Sequence, residues 1–174
     1  MGVPEIPNYK AVVGYLSRRA VLAAMFAMSS SVASKPRKRK VSRVLFVCQA
    51  GTVKSPIARE LFRKKAAERG LEIQALSRGI AVEDHVTHEL RKKLIADRID
   101  ARSEPAQQLS TADLKLADIV VVFNPLLAES GVADIRDWTD VPSVINDYDN
   151  ALAVINKRLD ALLDALEEDL AVWK

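Results

Sequence analysis

The chain has 174 residues, 49% of them hydrophobic and 28% charged, with 6 Gly, 7 Pro and 1 Cys. That length accommodates one domain with its own core plus a short extension. A single cysteine excludes an intrachain disulfide scaffold, a Cys-rich zinc site and an internal dithiol relay, and ordinary Gly and Pro contents exclude collagen-like and low-complexity chains. The net charge of +3 conceals two unlike parts: residues 1–43 carry nine Lys/Arg against Glu5 alone, a balance of +8, and the remainder stands at −5. The body is mildly acidic, so nothing in it points to nucleic acid as a partner.

Residues 1–40 read as an extension and residues 41–174 as the domain. Within the extension, Ser17-Arg18-Arg19 precedes the apolar run Ala20 to Met28, then Ser31-Val32-Ala33 and the basic stretch Lys35-Pro36-Arg37-Lys38-Arg39-Lys40. Three readings fit: a twin-arginine-type export signal, a solvated basic leader, or an amphipathic helix held at an anionic membrane surface. The run falls well short of the ~20 apolar residues that span a bilayer, so no integral membrane segment is expected. The expected location is the cytoplasm, with export the alternative.

In the body, Val41 to Val47 is a β-branched, apolar run suited to a buried parallel strand. Ser55-Pro56 opens a helix, since proline is tolerated in a first turn where its missing N–H has no partner. Ile57, Ala58, Leu61, Phe62 and Ala66 form its inner face; Arg59, Glu60, Arg63, Lys64 and Glu68 form its outer face, and Gly70 stops it. Leu71 to Leu76 predicts a second strand. Thr87 to Ala96 predicts a helix with Leu90, Leu94 and Ile95 inward. Ser110-Thr111-Ala112-Asp113 has the spacing of a capping box and starts a short helix through Leu116. Asp118 to Phe123 is a buried strand, Pro125 to Glu129 a short helix, and Asp134 to Trp138 a fourth strand. From Asn150, Leu152, Ile155, Leu159, Leu162, Leu163, Leu166 and Leu170 recur at helical spacing. Strands alternating with helices predict an α/β fold, a three-layer parallel sheet.

The chemistry concentrates in the turn Cys48-Gln49-Ala50-Gly51-Thr52-Val53-Lys54-Ser55-Pro56. Ligands of a doubly wound sheet bind beyond the carboxyl ends of its strands, where this turn lies. Its backbone amides precede a helix N-terminus, whose unpaired N–H groups and dipole attract an anion. The same field favours a thiolate, which predicts a nucleophilic sulfur at Cys48. Lys54 adds positive charge, the Ser55 hydroxyl can donate to the sulfur, and Gly51 lets the turn bend without a Cβ. The other reading is a buried structural cysteine ending a strand.

The stretch VLFVCQAGTVKSPIARELF resembles the phosphate loop of the low-molecular-weight protein tyrosine phosphatases, Cys-x5-Arg-Ser/Thr after a V-x-F-V-C strand. The resemblance continues through Ser77-Arg78-Gly79, Leu109 to Asp113 and the strand at Asp118. It implies a four-stranded parallel sheet with helices on both faces, the phosphotyrosine protein phosphatase I-like fold. It also implies hydrolysis of a phosphate monoester, from a protein or a small molecule, through a phosphocysteine. Cys48 would attack, the loop Gln49, Ala50, Gly51, Thr52, Val53, Lys54 and Ser55 would bind phosphate, and a later aspartate would protonate the leaving oxygen. Three positions depart from the family pattern. Lys54 stands for the arginine, keeping the charge but losing the two-point grip; Gly51 stands for the loop asparagine; and the late Asp-Pro has no faithful copy. Asp140, two residues before Pro142, is the first candidate for the acid and Asp147 the second, although either can instead be solvated or cap a helix.

Lys54 and Gly51 also keep open an impaired oxyanion-binding module, and the fold an arsenate reductase served by an external thiol. No metal or cofactor is expected: His85 and His88 lack a third ligand and read as solvated. Arg78 either lines the anion cleft or merely precedes a turn at Gly79. Trp138 and Tyr148 either flank a substrate ring or pack.

Overall fold

The computed structural model describes residues 41, 43–124 and 134–171. The expected leader at residues 1–40 and the expected helix at Pro125–Glu129 lie outside the described residues. Strand β1, Arg43–Cys48, is followed by helix α1, Lys54–Glu68, strand β2, Gln74–Gly79, and helix α2, His88–Ala96. Helix α3, Thr111–Leu116, leads into β3, Ile119–Val122, then β4, Ile135–Asp137, and the long helix α4, Tyr148–Ala171. The four strands form one sheet in the order β2-β1-β3-β4, every neighbouring pair parallel. The chain runs outward from β1 to β2 and then crosses to the other side for β3. The topological switch, where such sheets bind ligands, therefore lies at the carboxyl ends of β1 and β3.

Both faces of β1 are covered, which is why its sequence is an apolar run rather than an alternation. On one face Val44, Phe46 and Cys48 pack with Ile57, Phe62, Leu90 and Leu94 and with the α4 residues Ile155, Leu159 and Leu163. On the other, Leu45 and Val47 pack with Val120 and Val122, flanked by Leu109 and Leu114 beside α3. This is the three-layer α/β architecture that the alternation of elements predicts. No described helix is long and apolar enough to cross a membrane.

Four local expectations change. The second strand begins at Gln74, not Leu71. Gly70, at φ 67°, closes α1 in a Schellman turn: Leu71 N–H donates to Ala66 O at 2.8 Å and Gly70 N–H to Ala67 O at 3.1 Å. Leu71 and Ile73 are thus spent packing the connection against the core, and the strand shifts so that Ser77-Arg78-Gly79 lies within it. Helix α1 itself starts at Lys54, which leaves Pro56 in the first turn but third in it.

Ile95 faces outward, 70% exposed. The inward stripe of α2 is only Leu90 and Leu94, and the next apolar place is filled by Ile99 beyond the helix. A second Schellman turn brings it there: Ile99 N–H donates to Leu94 O at 2.9 Å and Arg98 N–H to Ile95 O at 3.1 Å. Arg98 occupies the left-handed position, φ 57°, that usually takes glycine.

Arg59, expected on the outer face of α1, is 1% exposed. Its guanidinium donates to Ser77 Oγ at 2.8 Å, Ser103 Oγ at 2.9 Å, Glu60 Oε1 at 2.8 Å and Glu104 Oε2 at 3.2 Å. Periodicity places a charge outward unless partners meet it inside, and here they come from β2 and from the segment after α2.

Arg98 carries a left-handed backbone with a Cβ, a strain that glycine lacks. Arg98→Gly should therefore stabilise the domain by up to about 1 kcal/mol. Urea unfolding of the two proteins checks it; an equal or lower midpoint for the glycine variant contradicts the cap assignment.

Candidate active site

Cys48 ends β1 as the one free cysteine, buried at 6% exposure. The loop after it is held from outside by the segment that follows β2. Ile80 N–H donates to Cys48 O at 3.1 Å, Ala81 N–H to Gln49 O at 2.9 Å, and Glu83 N–H to Ala50 O at 3.2 Å. In a trans peptide the N–H points opposite to the C=O. With three successive carbonyls turned toward Ile80, Ala81 and Glu83, the amides of Gln49, Ala50 and Gly51 face the other way. Gly51 N–H accordingly reaches Cys48 Sγ at 3.2 Å.

The loop and its clamp meet at two glycines. Gly51 has φ +71°, and a Cβ on it would lie 2.8 Å from the Gly79 backbone; a Cβ on Gly79 would lie 2.8 Å from Gly51 N and 2.9 Å from Ala50 O. Since only backbone atoms stand opposite, no rotamer change relieves either clash. Gly79 pairs with Cys48 in register, so the close approach sits beside Cys48 on the neighbouring strand. Gly79 is a closure point of the site, which a turn-based reading of that glycine misses.

Helix α1 opens the far side of the loop. Thr87 caps α2 and Ser110 caps α3, the latter with the expected box to Asp113, whereas Val53 gives α1 no side-chain cap and its first turn holds no acidic residue. Its leading amides are met by no cap side chain, the arrangement in which a helix N-terminus can accept an anion. Ser55, fully buried, places Oγ 3.0 Å from Cys48 Sγ and 3.2 Å from Arg78 O. The hydroxyl has one proton and two acceptors in reach. While sulfur is protonated it can donate to Ser55, and the hydroxyl to the carbonyl; once sulfur is ionised the hydroxyl can turn to it.

The remaining expected residues take different places. Gln49 Oε1 accepts from Asn124 Nδ2 at 2.5 Å, bridging the ends of β1 and β3. Thr52 Oγ1 donates to Glu83 O at 2.7 Å and accepts from His85 N–H at 3.4 Å, so its side chain belongs to the clamp. Lys54 Nζ donates to Val141 O at 2.6 Å. Partial burial pulls its pKa below that of an ordinary lysine, with the charges of Cys48 and Asp140 opposing the shift.

Asp140 lies on the segment that Lys54 grips. Its side chain is 70% exposed and its Oδ2 is 2.5 Å from Arg158 Nη2. That hydrogen bond, with the charges of Arg158 and Lys54, holds its carboxyl below the usual carboxylate range. Asp147 lies apart, exposed at the start of α4 and accepting from Asn150 Nδ2 at 2.9 Å.

Arg78 turns to the α3 cap, with Nε and Nη2 at 3.0 and 2.9 Å from Asp113 Oδ1. Trp138 and Tyr148 both pack: Trp138 against Phe46 and Phe123 with ring centroids 6.2 and 5.7 Å away, and Tyr148 with its hydroxyl donating to Asp97 at 2.5 Å. His85 is exposed beside Glu83, and the described residues contain no cluster of three or more metal-ligating side chains. The residues that sequence reasoning missed are the clamp amides, Gly79, Asn124 and Arg158. Of these only Gly79 leaves a signal, a glycine ending a strand beside a glycine-bearing loop.

A family model described as low molecular weight phosphotyrosine protein phosphatase matches residues 43–153. The chain belongs to that family. No curated protein matches the sequence significantly. Solved structures share the phosphatase fold. YfkJ from Bacillus subtilis is 22% identical, with a TM-score of 0.63 over 76% of this chain and 99% of that one. A low molecular weight protein tyrosine phosphatase from T. tengcongensis is 23% identical, with a TM-score of 0.61 over 71% and 99%. YwlE arginine phosphatase from Geobacillus stearothermophilus is 18% identical, with a TM-score of 0.61 over 74% and 94%. Membership makes the domain an enzyme of the phosphatase type, acting on phosphorylated substrates.

If the amides and Ser55 serve an anionic sulfur, Cys48 should be alkylated by iodoacetate at neutral pH, and saturating phosphate should block the reaction. Ser55→Ala should slow alkylation by about tenfold, the effect of one lost hydrogen bond to a charged group. A thiol that is inert, or alkylated equally with and without phosphate, removes the cradle.

Proposed function

We propose that the chain hydrolyses phosphate monoesters through a phosphocysteine on Cys48. The observation that carries this reading is the inward set of loop amides around one buried sulfur, fixed by the three clamp bonds. A tetrahedral dianion centred over Sγ would meet those amides and the uncapped start of α1, preorganised donors that need no rearrangement as charge moves. Sulfur attacks phosphorus as the bond to the leaving oxygen breaks, and Asp140 in its protonated form supplies that oxygen's proton. Water then attacks the phosphocysteine, giving its proton to Asp140 and releasing phosphate and thiolate. Fold neighbours that are a tyrosine phosphatase and an arginine phosphatase support phosphoryl transfer without choosing between leaving groups.

Lys54 is the position that sets the rate. An ammonium presents a point charge where a guanidinium presents two parallel donors, and the difference is greatest as charge spreads over the equatorial oxygens. A specific observation favours a second reading: Nζ is already engaged by Val141 O, an acceptor that phosphate has to displace. The chain would then be an oxyanion-binding module with little turnover.

Initial rates on a small aryl phosphate and calorimetry with inorganic phosphate separate the two. Cys48→Ser should reduce hydrolysis by at least about a thousandfold, and Lys54→Arg should raise kcat by about tenfold or more. Hydrolysis unchanged in Cys48→Ser overturns the phosphocysteine; phosphate binding without turnover in both wild type and Lys54→Arg establishes the module.

A further inference from the structure

Arg158, in the third turn of α4, touches the segment that carries Asp140 at three points. Nη1 reaches Asp137 O at 3.5 Å, the guanidinium lies 5.9 Å from the centre of the Trp138 ring, and Nη2 holds Asp140 Oδ2 at 2.5 Å. Trp138 is itself packed between Phe46 and Phe123. One side chain thus ties a core-anchored backbone to an exposed carboxylate.

We propose that Arg158 is a positioning residue that holds Asp140 as the carboxylate base for the second half-reaction, the hydrolysis of phosphocysteine; this rests on the proposed role of Asp140. In that step a water O–P bond forms, the P–S bond breaks with its electron pair going to Cys48, and the water proton passes to Asp140. The aspartate must be ionised and aimed at the site to receive it. Arg158 does both. The charged groups around Asp140 are Arg158 from α4, Lys54 from α1 and Asp137 from β4. The two cations favour the carboxylate, Arg158 most strongly, and Asp137 opposes them.

The same contact works against the first half-reaction, in which Asp140 has to carry a proton. The pair therefore suits phosphoryl donors whose leaving group departs without one, such as an aryl oxide of low basicity. Arg158 also borders an open groove of about 300 Å³ with Arg136 and Leu162, so shortening it leaves no sealed cavity.

Steady-state and burst kinetics of the full chain on a small aryl phosphate test this, with melting curves as a check on folding. Arg158→Gln should lower kcat by about fivefold, the scale of an exposed ion pair. It should leave kcat/KM nearly unchanged, and phosphocysteine should accumulate as a burst of released phenol. The acid-side limb of kcat should move to higher pH, because without Arg158 the carboxylate is protonated at a higher pH. Arg158→Lys should restore most of kcat. If kcat and kcat/KM fall together without a burst, or neither changes, the positioning role is overturned. If Asp140→Asn leaves kcat intact, the inference falls along with the role of Asp140, whereas the phosphocysteine still stands or falls with Cys48→Ser.

Discussion

Three hydrogen bonds, from the amides of Ile80, Ala81 and Glu83 to the carbonyls of Cys48, Gln49 and Ala50, decide what this fold can do. A peptide cannot present both of its polar ends to the same side. A tight turn left to itself would satisfy its own N–H groups. With the carbonyls held from behind, the amides of Gln49, Ala50 and Gly51 face away from the clamp, and that of Gly51 reaches the sulfur. The clamp in turn depends on β2 ending level with Cys48, so that the chain leaving β2 runs alongside the chain leaving β1. That closeness needs two residues without side chains, Gly51 and Gly79, set back to back.

The sheet supplies the rest of the geometry. Parallel pairing of β1 with both β2 and β3 puts three carboxyl ends together, and Gln49 and Asn124 join the β1 and β3 ends directly. The buried guanidinium of Arg59 works one layer below. It fastens α1 to Ser77 of β2, immediately before Arg78, whose carbonyl shares the Ser55 hydroxyl with the sulfur. A charge buried with this many partners stabilises one arrangement of three segments rather than adding much net stability.

The architecture was legible, and the loop after Cys48 stood out as the candidate site, because both rest on local signals. Val44 to Val47 and Ile119 to Val122 are apolar without alternation, as strands covered on both faces must be, and the loop from Cys48 to Pro56 concentrates residues whose chemistry is shared. The α3 capping box was legible for the same reason, being a four-residue device. What escaped notice depends on partners distant in the chain. Arg59 lies on what periodicity calls the outer face, and only Ser77, Ser103 and Glu104 bring it inside. Ile95 and Ile99 exchange roles because of a left-handed Arg98, a residue type with no preference for that conformation. The clamp amides are invisible in any sequence, since every residue but proline has one.

Charge along the rim of the site follows a simple alternation. Lys54 on α1, Asp140 on the connecting segment and Arg158 on α4 stand positive, negative, positive, and the two cations grip neighbouring groups, Val141 O and the Asp140 carboxylate. On the proposed function, an arriving dianion would compete for Lys54 first, because that ammonium is partly buried and its hydrogen bond to Val141 O has a neutral acceptor. Arg158 has no such reason to leave, since its partner is charged and stays on the same segment. On the proposed function, phosphate binding would loosen the Lys54 tie of the Asp140 segment and leave the Arg158 tie in place. Both half-reactions of the proposed mechanism pass through a transition state in which charge spreads over the equatorial oxygens, so a lysine in place of the guanidinium would weigh on each, and a positioned base would aid the attack of water in the second.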